Sequence, residues 1–137
     1  MIPDAFQLRQ IGIIRSELKD IDDCPHQESE DAPEAWIEVD PAYSDALEGL
    51  EVGAEILVLT WLHLADRSTL RVHPRGNPEN PMRGVFGTRS PDRPNPIGLH
   101  RTRVMSLDPP YRLRVQPLGA VDRTPVVDIK PVLSGDR

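Results

Sequence analysis

The sequence predicts a mainly β protein, an antiparallel barrel with one short helix and long loops. Three observations lead there. Seven or eight short runs rich in apolar and β-branched residues are divided by Pro, Gly and Asp turns. Only the stretch after Asp40 has helical spacing. The run AEILVLTWLHL, residues 54–64, is apolar on both faces, which suits a central strand rather than an edge.

Taken in order, Phe6 to Arg15 mixes β-branched and apolar residues and reads as the first strand. Ser16 to Glu34 is polar, acidic and broken by Pro25 and Pro33, so it reads as loop; a loop of that size in a small domain is usually functional or mobile. Trp36 to Val39 is a short strand. Asp40-Pro41 is a helix start, an N-cap with Pro at the first helical position. Tyr43, Ala46, Leu47 and Leu50 then give one apolar helix face, and Gly49 or Gly53 ends it.

In the central strand Ile56, Val58, Leu62 and Leu64 share one face, with Leu57, Leu59, Trp61 and His63 on the other. Thr69 to His73 is a further strand, and Pro74 to Arg83 is loop. Val85-Phe86 and then Ile97 to Leu107 are extended. Asp108-Pro109-Pro110 makes a tight turn. Tyr111, Leu113 and Val115 alternate with Arg112, Arg114 and Gln116, a strand with one wet face. Pro125 to Ile129 is the last strand.

The chain of 137 residues is long enough for one hydrophobic core. It has no apolar run long enough to span a membrane and no evident secretory leader. One cysteine, Cys24, cannot form an internal disulfide, which fits a reducing cytoplasm. No Cys/His cluster surrounds it, so no metal site is expected, and His26 beside it is weak evidence for a nucleophile pair. No GxGxxG turn supports a Rossmann fold.

The net charge of −6 conceals an asymmetry. Residues 1–66 carry three basic and sixteen acidic side chains, a net of −13, while residues 67–103 carry eight arginines against Glu79 and Asp92, a net of +6. Such a segment can bind nucleic acid, or it can neutralise the acidic half of its own fold.

Within the basic segment lies GVFGTRSPDRPNPIGL, Gly84 to Leu99. Pro91, Pro94 and Pro96 fix their own φ angles and push the preceding residues toward extended conformations. The segment is therefore a stiff loop that presents Arg89, Arg93 and Asn95.

This block resembles the GVFATRSPxRPNPIGL block of the TsaA-like (TrmO) family. Asp122 to Pro131, DRTPVVDIKP, resembles that family's DGTPVxDIKPY. Ile11 to Ser16 and Trp61-Leu62-His63 extend the likeness over nearly the whole chain. The resemblance implies a single-sheeted β-barrel over residues 1–137, a cytoplasmic homodimer, and S-adenosylmethionine as cofactor. It further implies methylation of N6 of threonylcarbamoyladenosine beside the tRNA anticodon, with the anticodon loop as partner. Carried over by motif, the cofactor contacts fall on Pro25, His26 and Gln27, on His63 and Leu64, on Arg89, on Leu99, and on Asp122, Arg123, Thr124 and Pro125. Arg89, His63, Gln27, Asp122 and Thr124 are the polar groups such a site needs, and Leu99 an apolar wall.

Three positions depart from the pattern. His26 replaces an arginine, Arg123 a glycine, and Val132 the tyrosine after Lys-Pro. Some members carry a further C-terminal domain, and residues 1–137 read as the barrel alone. Two other functions fit the same residues: a methyltransferase of this fold acting on another acceptor, and a module that binds S-adenosylmethionine or RNA without turnover. No catalytic base is assigned.

Overall fold

Eight strands and three 3-10 turns form in the computed structural model, which describes residues 4–19 and 33–136. Six strands close into one antiparallel barrel: β1 (Gly12–Arg15), β2 (Ala35–Val39), β3 (Glu55–Trp61), β6 (Ile97–Asp108), β7 (Arg112–Gln116) and β8 (Pro125–Pro131). Their order around the ring is β1-β2-β7-β6-β3-β8, and β1 pairs with both β2 and β8 to shut it. The remaining two strands, β4 (Arg71–Val72) and β5 (Arg83–Gly84), make a small ribbon between β3 and β6.

Side chains on a strand alternate between its faces, and the burial follows. In β3, Ile56, Val58 and Thr60 point inward; in β6, Gly98, His100, Thr102 and Val104 do so. Ile14, Ile37, Leu113, Val115, Leu118 and Val126 complete the filled interior. The central position expected for β3 holds, since it is flanked by β6 and β8. Two register shifts bend the sheet, one in β6 between Val104 and Ser106, one where Leu59/Thr60 meets β8. Bulges of this kind raise local twist and let one long strand such as β6 turn a barrel corner.

Several elements differ from the sequence expectation. The central strand spans Glu55–Trp61, so His63 and Leu64 lie beyond it, the strand expected over Thr69 to His73 contracts to Arg71–Val72, and the expected loop after it holds a 3-10 turn, Pro74–Gly76. The first strand contracts to Gly12–Arg15, although Ile11 still donates its N–H to Val126 O at 2.9 Å. The helix after Asp40 is a 3-10 helix, Pro41–Leu47, with Asp40 accepting from Ala42 N–H as its cap. Its bonds span three residues, Tyr43 to Asp40 and Leu50 to Leu47 among them, and Gly49 at φ 89° turns the chain away. Three of the four apolar positions hold nonetheless: Tyr43, Leu47 and Leu50 pack half-buried on the core, while Ala46 is exposed. Finally, Val85-Phe86 is not a strand but part of a 3-10 turn, Val85–Gly87.

Among the described residues no helix is long and apolar enough to cross a membrane.

Candidate functional site at one end of the barrel

The strand registers decide where the motif residues meet. Thr60 near the exit of β3 lies opposite Gly98 near the entrance of β6, and also opposite Val126 at the start of β8. Ile13, close to the exit of β1, lies opposite Pro125, and Arg15 lies opposite Trp36 at the start of β2. The exits of β1 and β3 and the entrances of β2, β6 and β8 therefore share one end of the barrel. His63-Leu64, the 84–99 loop, and the Asp122–Pro125 turn all sit there. Pro25, His26 and Gln27 lie outside the described residues.

The 84–99 loop is held from within. Arg93 donates from Nε to Ser90 O at 2.8 Å, and from Nη2 to Val85 O at 2.8 Å and Thr88 O at 2.7 Å. Arg67 donates to Pro94 O at 2.7 Å and Asn95 Oδ1 at 3.1 Å, and its guanidinium lies 5.0 Å from the centre of the Trp61 ring. Asp66 N–H donates to Asp92 Oδ1 at 2.8 Å, Arg93 N–H to Asp66 O at 3.0 Å, and Leu62 N–H to Pro96 O at 2.8 Å. The loop is thus laced to the turn that carries His63 and Leu64, both exposed. Of the three residues the sequence singles out in this loop, Arg93 turns inward and Asn95 receives Arg67. Arg89 is exposed, with no hydrogen bond or ion pair on its side chain among the described residues.

The Asp122–Pro125 turn is fastened to β1. Asp122 Oδ1 accepts from Ser16 N–H at 3.0 Å and Oδ2 pairs with Lys19 Nζ at 3.1 Å. The Ser16 N–H, and then the Lys19 ammonium, hold this carboxyl below its ordinary range. Arg123 N–H donates to Ile14 O, and Thr124 O accepts from Ile14 N–H. Thr124 is buried and its hydroxyl donates to Val121 O at 2.7 Å, so it shapes the turn. Arg123 has φ 73°, a left-handed conformation that suits the glycine found there in the resembled pattern. A cleft of about 390 Å³ opens beside Asp122, lined also by Arg15, Ser16, Lys19 and Trp36.

Leu99 lies on the outer face of β6 opposite Leu59, and Ile97 opposite Trp61. Leu99 and Ile97 are exposed, which leaves an apolar strip outside the barrel at this end.

Of the eight arginines from Arg67 to Arg103, two hold the loop and two, Arg101 and Arg103, pair with Glu55. Arg75 also has partners. Arg71, Arg83 and Arg89 are the exposed ones without an ion pair or hydrogen bond on the side chain among the described residues. The basic segment is partly self-neutralised and partly open.

Residues 13–135 match the family model of the tRNA-methyltransferase O N-terminal domain. The chain belongs to the tRNA-methyltransferase O family. It is 47% identical over 126 residues to a probable S-adenosyl-L-methionine-binding protein of Methanothermobacter thermautotrophicus, covering 92% of this chain and 89% of that one. It is 35% identical over 137 residues to the tRNA (adenine(37)-N6)-methyltransferase of Escherichia coli, covering 94% of this chain and 58% of that enzyme. The crystal structure of TrmO from Pseudomonas aeruginosa superposes with a TM-score of 0.74 at 32% identity, covering 94% of this chain and 56% of that one. The chain thus spans little more than half of these two TrmO-type relatives. The cofactor expected from the sequence agrees with the name of the archaeal relative.

Sequence reasoning missed the roles of Arg67 and Arg93, and a buried polar pair in this TrmO-type barrel. His100 Nε2 lies 2.8 Å from Thr60 Oγ1 across β3 and β6. Gly98 makes room for it: a Cβ there would stand 2.4 Å from Thr60 Oγ1 and 2.8 Å from His100 Nε2. The alternation of β6, with His100 on the same face as Gly98 and Val104, is the signal that could have found it. Among the described residues no group of three or more His, Cys, Asp or Glu could hold a metal ion.

Proposed function

We propose that this protein is an S-adenosylmethionine-dependent methyltransferase that acts on N6 of threonylcarbamoyladenosine beside the tRNA anticodon, in the cytoplasm and as a homodimer. The observation that carries the reading is the convergence of the described motif segments on one barrel end, where a stiff loop leaves Arg89 without a side-chain partner among the described residues. The residues fit the cofactor's chemistry. A methionyl carboxylate needs a forked cation, which Arg89 offers. The amino and ribose groups need acceptors, which Asp122 and, from the 25–27 segment, Gln27 offer. The methyl on the sulfonium needs an apolar wall, for which Leu64, Leu99 and Pro125 are candidates, with His63 and Arg123 at the margin and Thr124 fixing the turn. Of the expected cofactor contacts among the described residues, Asp122 alone lines the cleft of about 390 Å³.

Bound S-adenosylmethionine supplies a methyl group on a sulfonium, already a good leaving group. The chain's own work is then alignment: holding one end of the cofactor and presenting the acceptor in line. A loop braced by Arg67 and Arg93 supports that role. The apolar strip of Leu59, Trp61, Ile97 and Leu99 supports self-association, because a second copy would cover it.

The test is incubation of the purified protein with unmethylated tRNA and labelled S-adenosylmethionine, followed by nucleoside mass spectrometry. A methyl group on N6 of threonylcarbamoyladenosine is the expected result. Methyl transfer to another nucleoside moves the acceptor, and cofactor binding without transfer leaves a binding module. Light scattering that gives a monomer would remove the dimer.

A further inference from the structure

The excursion between β3 and β6 carries an aromatic ring that the fold does not use. Val85 N–H donates to Leu70 O at 3.0 Å, which prolongs the β4–β5 ribbon by one residue. Val85 is buried, 2% exposed, and its neighbour Phe86 is 81% exposed. The backbone beneath Phe86 is fixed: Val85 O accepts from Thr88 N–H, Thr88 Oγ1 and Arg93 Nη2, all between 2.8 and 3.0 Å. An exposed phenyl ring on a braced turn gains nothing from the protein interior. Around it in the same lobe stand Arg71, opposite Gly84, and Arg83, opposite Val72. Both are exposed and without a side-chain partner among the described residues.

We propose that this lobe is the contact for an unpaired stretch of RNA, with Phe86 stacking on one base and Arg71 and Arg83 meeting the adjoining phosphates. The inference rests on the reading that RNA is the methyl acceptor, and it names the surface outside the cofactor site that takes it. The chemistry favours RNA over a second protein. Every base offers a π-face to an aromatic ring, and its backbone offers the anions two unpaired guanidiniums need. An acidic protein surface would answer the arginines and leave the ring in water. A second copy's equivalent lobe would bring like charges together.

The experiment titrates a synthetic anticodon stem-loop RNA into the parent protein and into Phe86→Ala, Phe86→Leu and Phe86→Tyr, with S-adenosylmethionine titrated in parallel. Phe86→Ala and Phe86→Leu are expected to weaken RNA binding roughly 5- to 150-fold, the loss of one stacked base. Phe86→Tyr, which keeps the ring, should bind like the parent. Salt dependence should be unchanged in these variants but shallower by about one unit in Arg71→Gln or Arg83→Gln. Cofactor affinity should not move in any of them. If Phe86→Leu binds RNA like the parent, the stacking assignment is wrong while the RNA-acceptor reading stands. If Phe86→Ala changes the sedimentation of the free protein instead, the ring is a contact between copies and the proposal falls. A parent protein that binds S-adenosylmethionine but not the RNA overturns both this proposal and the acceptor it rests on.

Discussion

Replacing Arg93 by alanine tests whether the proline-rich loop is braced or merely stiff. The guanidinium makes three bonds to backbone carbonyls, at 2.7 to 2.8 Å. Hydrogen bonds from a charged donor contribute about 1.5–3 kcal/mol each at most. Two effects reduce the sum. Val85 O keeps two donors from Thr88 after the change, and the Ser90 and Thr88 carbonyls can be reached by water. The expected loss is therefore about 2–3 kcal/mol. The loop is an excursion from the barrel, so the loss should appear as local opening before it lowers global stability. Amide exchange at Thr88, whose N–H is bonded to Val85 O, should quicken roughly 30- to 150-fold, and S-adenosylmethionine affinity should fall with it. Arg93→Lys should recover only part, since an ammonium lacks the planar fork. Unchanged exchange at Thr88 together with unchanged cofactor affinity would refute the argument, and the prolines alone would then account for the loop.

Arg89→Ala should reduce S-adenosylmethionine affinity roughly tenfold to more than a hundredfold without altering the urea midpoint, because its side chain has no partner in the described fold; unchanged cofactor affinity with weaker tRNA binding would make it a phosphate contact instead. Arg123→Gly should stabilise the protein by roughly 0.5–1 kcal/mol, relieving a side chain held at φ 73°, and a lower urea midpoint would contradict that account. Asp122 is held below its unfolded pKa of about 3.9, so its contribution is present above that pH and lost as pH falls through the folded value. Asp122→Asn should accordingly be less stable than the parent at pH 7 and converge with it below about pH 4, and a stability gap that ignored pH would remove the carboxylate from the explanation.

The barrel was legible because its strands obey period two and because β3 is apolar on both faces. The alternation in β6 and β7 maps directly onto burial. What period two could not give was register, and with it the end of the barrel at which each motif emerges. The hydrogen-bond geometry of Pro41–Leu47 was equally hidden. Tyr43 and Leu47 reach the core from a seven-residue 3-10 turn as they would from an α-helix, and the exposed Ala46 between them is what the spacing could not foretell. Val85-Phe86 misled for a related reason: two apolar neighbours look like a buried strand, whereas the fold buries one and exposes the other.

The arginines show the deeper limit. Residues 67, 71, 83, 89 and 93 are chemically identical in the sequence, and charge counting treats them as one patch. In the fold they divide by what lies within reach of each guanidinium. Arg93 finds carbonyls three, five and eight residues back; Arg67 finds Pro94 and Asn95, 27 and 28 residues on. The first set is local but requires the chain to curl around the side chain, and the second requires the β3–β6 pairing to exist already. Both follow from the proline spacing only once the strands are placed. A motif that looks like a row of ligand contacts is thus two structures at once: a scaffold of inward arginines and carbonyls, and one outward arginine that the scaffold holds. Substituting inward and outward arginines separately is what distinguishes loss of shape from loss of contact.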